Sequence, residues 1–323
     1  MEQAWDTVPL VNSSFYQPST FLMTGFPGLE ADHHWISIPF CMFYLIALSG
    51  NFMILIIIKK TQSLHQPMYC FLSMLAVTDL GLALCTLPTT LGIFWFNIRR
   101  IEFEACLTQM YFIHILSVME SSVLLAMAFD RFIAISNPLR YLSILTKANI
   151  IKIGLAIVLR AVISLFPIPF LLKRLTYCGN NVLSHSFCFH PDIMKLACTD
   201  IKVNILYGLV VILSTAGVDF VLIVLSYVLI IKTVVSLATK ETCLKAFNTC
   251  VCHVCAVLIF FIPMIGLSII YRFGNNVPTL VNIMVAYIYL IVPPVLNPII
   301  YSVKSKQIRR AMLKTLWWKN NPI

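Results

Sequence analysis

The stretch WISIPFCMFYLIALSGNFMILIII, residues 35–58, contains no charged side chain, and Lys59 and Lys60 follow it directly. A helix of about 20 apolar residues crosses a hydrocarbon layer roughly 30 Å thick, so this run is long enough to span a bilayer. Residues 203–231 repeat the pattern, with Asp219 as the single charge. Working outward from these two runs, seven apolar segments can be laid along the chain, at about 35–58, 68–96, 104–135, 150–172, 202–232, 246–271 and 279–302. They read as helices. The bilayer core offers no water to backbone N–H and C=O groups, and the runs lack the short alternating pattern of a membrane barrel strand.

Composition agrees with that reading. The chain has 323 residues, 59% of them hydrophobic and only 11% charged, with a mean hydropathy of +0.89. Soluble chains carry about 25% charged residues, so a soluble enzyme, a nucleic-acid-binding module and a disordered chain are all poor fits. The predicted class is an all-α membrane protein, a seven-transmembrane-helix bundle. Residues 1–34 form an N-terminal tail, 35–302 the bundle and 303–323 a C-terminal helix and tail. Residues 1–32 show no basic start followed by a short apolar core and cleavage site, so the first span is expected to serve as signal and anchor together. No internal repeat of the transporter kind stands out.

The net charge of +10 is a topology signal. Lys59, Lys60, Arg131, Arg140, Lys147, Lys152, Lys232, Lys240, Lys245, Lys304, Lys306, Arg309, Arg310, Lys314 and Lys319 fall on one side of the predicted layer, 15 of the 23 Lys and Arg. The positive-inside rule puts that side in the cytoplasm, with the N-terminus outside and the C-terminus inside. The excess charge then lies against anionic lipid headgroups, with no nucleic-acid partner. Cys106, Cys178, Cys188 and Cys198 lie on the outer, oxidising side, where four cysteines allow three pairings. Asn12-Ser13-Ser14 is a glycosylation sequon on the same side. Cys250, Cys252, His253 and Cys255 have metal-binding chemistry but the wrong spacing, because helical residues two apart point to different faces.

Charges inside the layer cost on the order of 3 kcal/mol each unless they face a polar interior. Asp79, Glu120, Arg160 and Asp219 are such charges, with Asp130 and Arg131 at the cytoplasmic edge. On the third span, His114, Ser117, Glu120, Ser121 and Arg131 fall within one arc of about 120°, a single polar stripe facing the bundle interior. That stripe fits a ligand cavity above a polar network, and it also fits the permeation path of a transporter or channel. No nucleophile arrangement or metal motif points to an enzyme or a cofactor.

Gly50-Asn51, the run Leu75-Ala76-Val77-Thr78-Asp79-Leu80, and Asn297-Pro298-Ile299-Ile300-Tyr301 resemble the rhodopsin-like G-protein-coupled receptors. Met127-Ala128-Phe129-Asp130-Arg131-Phe132-Ile133-Ala134-Ile135, Pro67-Met68-Tyr69, Ser226-Tyr227, Lys245-Ala246-Phe247-Asn248-Thr249-Cys250 and Pro293-Pro294-Val295-Leu296 narrow the resemblance to the olfactory receptors. Phe26-Pro27-Gly28-Leu29-Glu30, the long loop before the fifth span and the residues around Arg272 are similar to the class I, fish-like group.

The resemblance implies a plasma-membrane odorant receptor that activates a stimulatory, olfactory-type heterotrimeric G protein and raises cyclic AMP. It implies an activation switch built on Asp130, Arg131, Tyr227, Asn297, Pro298 and Tyr301, with Pro298 as a kink. It also implies a polar network of Asn51, Asp79 and Glu120, with sodium at the two carboxylates, and disulfides joining Cys106 to Cys188 and Cys178 to Cys198. The implied ligand is a small organic acid or other polar-headed odorant held by Arg272, Ser268, His114, Ser117 and His190. After the seventh span, Ile308, Ala311, Met312, Thr315 and Leu316 form an apolar stripe beside basic residues, as in a short amphipathic helix on the inner leaflet.

Overall fold

A computed structural model describes residues 17–29, 32–179, 181–237, 240–274 and 277–320, with side chains described outside 237–249 and 315–320. Asn12, Glu30 and the side chains of 245–249, Thr315 and Leu316 lie outside the described residues. Among the described residues, seven helical segments are long and apolar enough to cross a membrane: His33–Lys60, Pro67–Phe96, Phe103–Ser136, Lys147–Lys173, Lys202–Ser236, Cys250–Phe273 and Thr279–Lys304. Their ends match the apolar runs to within a few residues. The sixth helix begins at Lys240, before its apolar run does.

The first three spans are the single helices α1 (His33–Lys60), α2 (Pro67–Phe96) and α3 (Phe103–Ser136). A one-turn helix α4 (Tyr141–Ile144) follows α3. The fourth span is α5 (Lys147–Leu165) and α6 (Pro167–Lys173), interrupted where Pro167 takes the first position of α6 and has no N–H to extend the ladder of α5. Beyond a short loop helix α7 (His190–Lys195), the fifth span is also composite: α8 (Lys202–Ile212), a π turn (Leu213–Gly217) and α9 (Val218–Leu237). Then come α10 (Lys240–Phe273), α11 (Thr279–Lys304) and α12 (Lys306–Asn320). The fourth and fifth spans are the two departures from the single helices expected.

Helix α3 runs through the middle, packed against α2, α5, α9 and α10, while α1 packs on α2 and α11. Large apolar side chains face outward along the spans, among them Trp35, Ile163, Leu206 and Val235. In water such a belt would aggregate; against lipid it is the ordinary surface. The interior holds two apolar clusters, one around Phe21, Met110 and Phe187 and one around Leu75, Phe260 and Tyr301. We call their ends of the bundle the disulfide end and the Arg131 end.

The disulfide end carries a feature absent from the sequence reading. Strand β1 (Thr20–Met23) pairs antiparallel with β2 (Arg100–Glu102) and parallel with β3 (Val182–Leu183). Thr20–Met23, within the tail expected at 1–34, is therefore the middle strand of a small sheet, with Phe21 and Met23 buried, and α1, starting at His33, takes in the last two residues of that range. The structure bonds Cys106 to Cys188 and Cys178 to Cys198, tying the loop of β3 and α7 to α3 and closing it on itself.

At the Arg131 end, α12 packs on α1 and α11 through buried Ile308 and Ala311, and Tyr69 donates to Gln307 Oε1. Halfway down, α1 and α11 meet at Gly50, where an added Cβ would lie 2.9 Å from Pro298 Cβ. Overpacking of this kind costs about 1–3 kcal/mol. Gly50→Val is expected to lower the temperature at which the purified protein loses its folded population by several degrees; an unchanged melting profile would show that the contact yields.

Candidate functional site

A cavity of about 500 Å³ opens at the disulfide end between α3, α7, α8, α10 and α11. Helical spacing builds its walls. On α3, His114, Ser117 and Val118 repeat at three to four residues, and on α10 so do Met264, Leu267, Ser268, Tyr271 and Arg272, each set making one face. His190 reaches in from α7, and Tyr289 from α11. His114, Ser117, His190, Ser268 and Arg272, far apart in sequence, thus line one chamber whose remaining wall is mostly aliphatic and aromatic.

Lys195 of α7 lines that chamber too, but the cation presented from the span wall is Arg272. Its Nη1 donates to Ser268 O at 3.2 Å, its Nε is buried without a hydrogen-bond partner, and no carboxylate among the described residues forms an ion pair with it. The rings of His114 and His190 stand 6.2 Å apart, centre to centre. Burial, and then the positive charge of His114 and Arg272, push the His190 imidazole down to about 3, so it is neutral near pH 7.

That shift fixes a sign. Below the ordinary imidazole value of 6.5 the unfolded chain takes up a proton that folded His190 refuses. Stability from this group is complete above that pH and falls with acidification by up to about 1.4 kcal/mol per unit until the folded value is reached. His190→Gln is expected to flatten the decline in melting temperature between neutral and mildly acidic pH. A decline identical in both proteins would overturn the assignment.

The loop above the cavity is pinned by residues the sequence reading passed over. His185 Nδ1 meets Asp192 Oδ2 at 2.5 Å, Ser184 N–H donates to the same oxygen, and Lys195 Nζ sits 4.6 Å from the centre of the Tyr271 ring. Burial pushes the Asp192 carboxyl up, but the hydrogen bond and charge of His185, helped by Lys195 and Ser184, more than offset it and hold it below its ordinary value. Asp192, Lys195 and His190 share the six residues of α7, so the latch and the cavity wall are one element.

Below the cavity the polar stripe of α3 does not continue as one line, which corrects that expectation. His114 and Ser117 face the cavity. Glu120 turns toward α2 and α11, where Asn297 Nδ2 donates to Asp79 Oδ2 at 3.1 Å; both Glu120 oxygens are buried without a hydrogen-bond partner. Asn51, which the resemblance grouped with Asp79 and Glu120, instead donates to Ala47 O and Pro294 O, both at 2.9 Å, bridging α1 to α11.

Ser121 turns to the fifth span, donating to Asp219 Oδ2 at 2.8 Å. Asp219 also accepts Ser122 Oγ at 3.2 Å and Arg160 Nη1 at 2.6 Å. The sequence marked Arg160 and Asp219 as lone charges in the layer; the structure makes them partners. Two isolated intramembrane charges of opposite sign were the signal available.

At the Arg131 end, Arg131 Nη2 lies 3.3 Å from Asp130 Oδ2, and Tyr141 of α4 donates to Asp130 Oδ1 at 2.7 Å. Tyr227 OH and His253 Nδ1 are 2.6 Å apart, and His253 Nε2 contacts Leu124 O at 2.9 Å. Both nitrogens of His253 are thereby engaged in linking α9, α10 and α3. Tyr301 is buried nearby with its hydroxyl unpartnered.

Comparison with known proteins places this architecture. A family model described as olfactory receptor matches residues 40–319. The chain is 58% identical to human olfactory receptor 51G2 over 300 residues, 93% of this chain and 96% of that one. It is 52% identical to human olfactory receptor 51F1 over 319 residues, 99% of this chain and 100% of the other. The crystal structure of squid rhodopsin superposes with a TM-score of 0.70, covering 94% of this chain and 92% of that chain at 18% identity, a likeness of fold alone.

Proposed function

The chain belongs to the olfactory receptor family, and from that premise we propose a plasma-membrane receptor with its disulfide end outside and its Arg131 end in the cytoplasm, which binds small organic acids and signals through a stimulatory G protein. Membership in the family makes the chain a seven-span G-protein-coupled receptor for odorants and not an enzyme or a channel. With that orientation, Asn12-Ser13-Ser14 is a usable glycosylation sequon on the outer side.

One observation carries the ligand class: the unpaired Arg272 guanidinium in a largely apolar cavity. A carboxylate supplies the charge and the acceptors that this group lacks, and two-pronged guanidinium–carboxylate pairs are among the strongest charge-assisted hydrogen bonds. His114, His190, Ser117 and Ser268 complete the polar end, while the aliphatic wall encloses a short hydrocarbon tail. The measurement is cyclic AMP in cells given a stimulatory G protein and matched sets of aliphatic acids, alcohols, ketones and esters. Acids are expected to activate at lower concentration than neutral compounds of equal length. A response confined to neutral odorants would keep the receptor and sink the acid.

Signal transfer needs a two-state element at the other end. Asp130, itself held by Tyr141, pairs with Arg131, and release of Arg131 toward a G protein, with Tyr227, Asn297, Pro298 and Tyr301 rearranging around it, is the switch we assign. In mid-layer, Asp79 and the unpartnered oxygens of Glu120 fit a sodium ion completed by water. With only two carboxylates, a weakly held monovalent cation suits the site better than a transition metal.

A further inference from the structure

The π turn of the fifth span is braced from a neighbouring helix. Helices bend at prolines, at glycine or serine pairs, at π turns, or where a side chain enters the ladder. Residues 202–236 contain no proline, yet Val218 N–H reaches Leu213 O, five residues back, across the turn Leu213–Gly217. The carbonyls of Ser214 and Thr215 are aimed at a neighbouring helix, where Arg160 Nη2 donates to both at 3.0 Å. The other arm of the same guanidinium holds Asp219 Oδ1 at 2.6 Å and Ser122 Oγ at 2.9 Å. Arg160 therefore supplies, from α5, a donor to Ser214 O and a second one to Thr215 O, which Val218 N–H also reaches, and Asp219, one residue beyond Val218, keeps it there.

The turn faces the cavity. Thr215 and Ala216 are buried and are the deepest fifth-span residues on its wall, at the end away from Arg272. Arg160, Asp219, Ser121 and Ser122 do not line it. We infer that Arg160 is a positioning residue for ligand recognition: by holding the π turn from outside the cavity it places Thr215 and Ala216 at the cavity floor, and so sets the ligand length the receptor accepts. Relaxing the turn to a regular helix rotates and shifts that floor. One methylene at such a wall is worth about 10- to 200-fold in discrimination. The length argument rests on the cavity being the ligand site; the claim about the turn does not.

The test separates the two. Arg160→Gln alone strands the Asp219 carboxylate, so the informative protein is the double variant R160Q/D219N, which leaves no unpaired charge. Purified wild type and double variant in lipid nanodiscs, without ligand, are compared by amide hydrogen exchange over the segment containing 213–219. Exchange there is expected to rise at least about tenfold in the variant, with the α3 segment unchanged. Equal exchange in the two proteins overturns the role of Arg160 in the turn.

The second arm measures cyclic AMP responses to a homologous series of linear carboxylic acids and to the matching alcohols, at equal surface expression. The expected result is a length optimum displaced by at least one methylene, with about tenfold changes in relative potency. Faster exchange with an unmoved optimum overturns the floor assignment. Silence toward acids with a response to alcohols sinks the acid reading, and the alcohol optimum then decides the floor.

Discussion

Arg272→Ala is expected to abolish activation by carboxylic acids while leaving the receptor at the cell surface. Of the two cations lining the cavity, Lys195 has its Nζ over the Tyr271 ring, which leaves Arg272, with its unpartnered Nε, as the anchor. His190 is held neutral near pH 7, and the serines offer only uncharged donors. Removing one member of a desolvated, hydrogen-bonded charge pair costs about 2–5 kcal/mol, which reads as a loss on the order of a hundredfold or more in potency. Folding should survive, since the described partner of Arg272 is a backbone oxygen one helical turn back in its own helix. Arg272→Lys is the sharper comparison. It keeps the charge and loses the planar fork, so it should recover part of the acid response, and more for compact acids that a point charge can meet. If acids activate the alanine variant at unchanged concentration and surface level, Arg272 is not the anchor.

The fold was legible because apolar run length is a one-dimensional property. Residues 35–58 announce a span without reference to any other segment, and α1 exceeds that run by only two residues at each end. Features that depend on two distant segments were not legible. Thr20–Met23 is too short to show a strand pattern, and it becomes a strand only because 100–102 and 182–183 lie beside it. The π turn leaves no trace in hydropathy, since 203–231 reads as one apolar run through it.

The candidate site divides the same way. His114, Ser117, Ser268 and Arg272 lie on span faces that helical spacing can predict, and the structure brings them to one cavity. The latch of His185 on Asp192 lies in a loop, where no periodicity speaks. Arg160 and Asp219 were each visible as a charge in the wrong solvent. Their pairing was not visible, because 59 residues separate them and only the packing of α5 beside the π turn closes the gap.

That pairing leads to the second large effect, which is asymmetric. Asp219→Leu removes the carboxylate and leaves Arg160, about a third exposed at its side chain and within the membrane layer, with a charge it cannot shed, since guanidinium does not deprotonate in proteins. Breaking a buried pair from this side costs about 3–5 kcal/mol, a large part of the 5–15 kcal/mol that holds a typical domain together. Arg160→Met strands Asp219 instead. A carboxyl can take up a proton, and Ser121 and Ser122 still donate to it, so the penalty is smaller. Surface expression is therefore expected to fall on the order of tenfold or more for Asp219→Leu and only severalfold for Arg160→Met. The double variant Arg160→Met/Asp219→Leu, with no charge left in the layer, should recover toward wild type, because well-packed apolar replacements of buried ion pairs are often neutral or better. Flow cytometry of an epitope-tagged receptor measures all three. A double variant no better than Asp219→Leu alone would mean that the network contributes something charge neutralisation cannot restore.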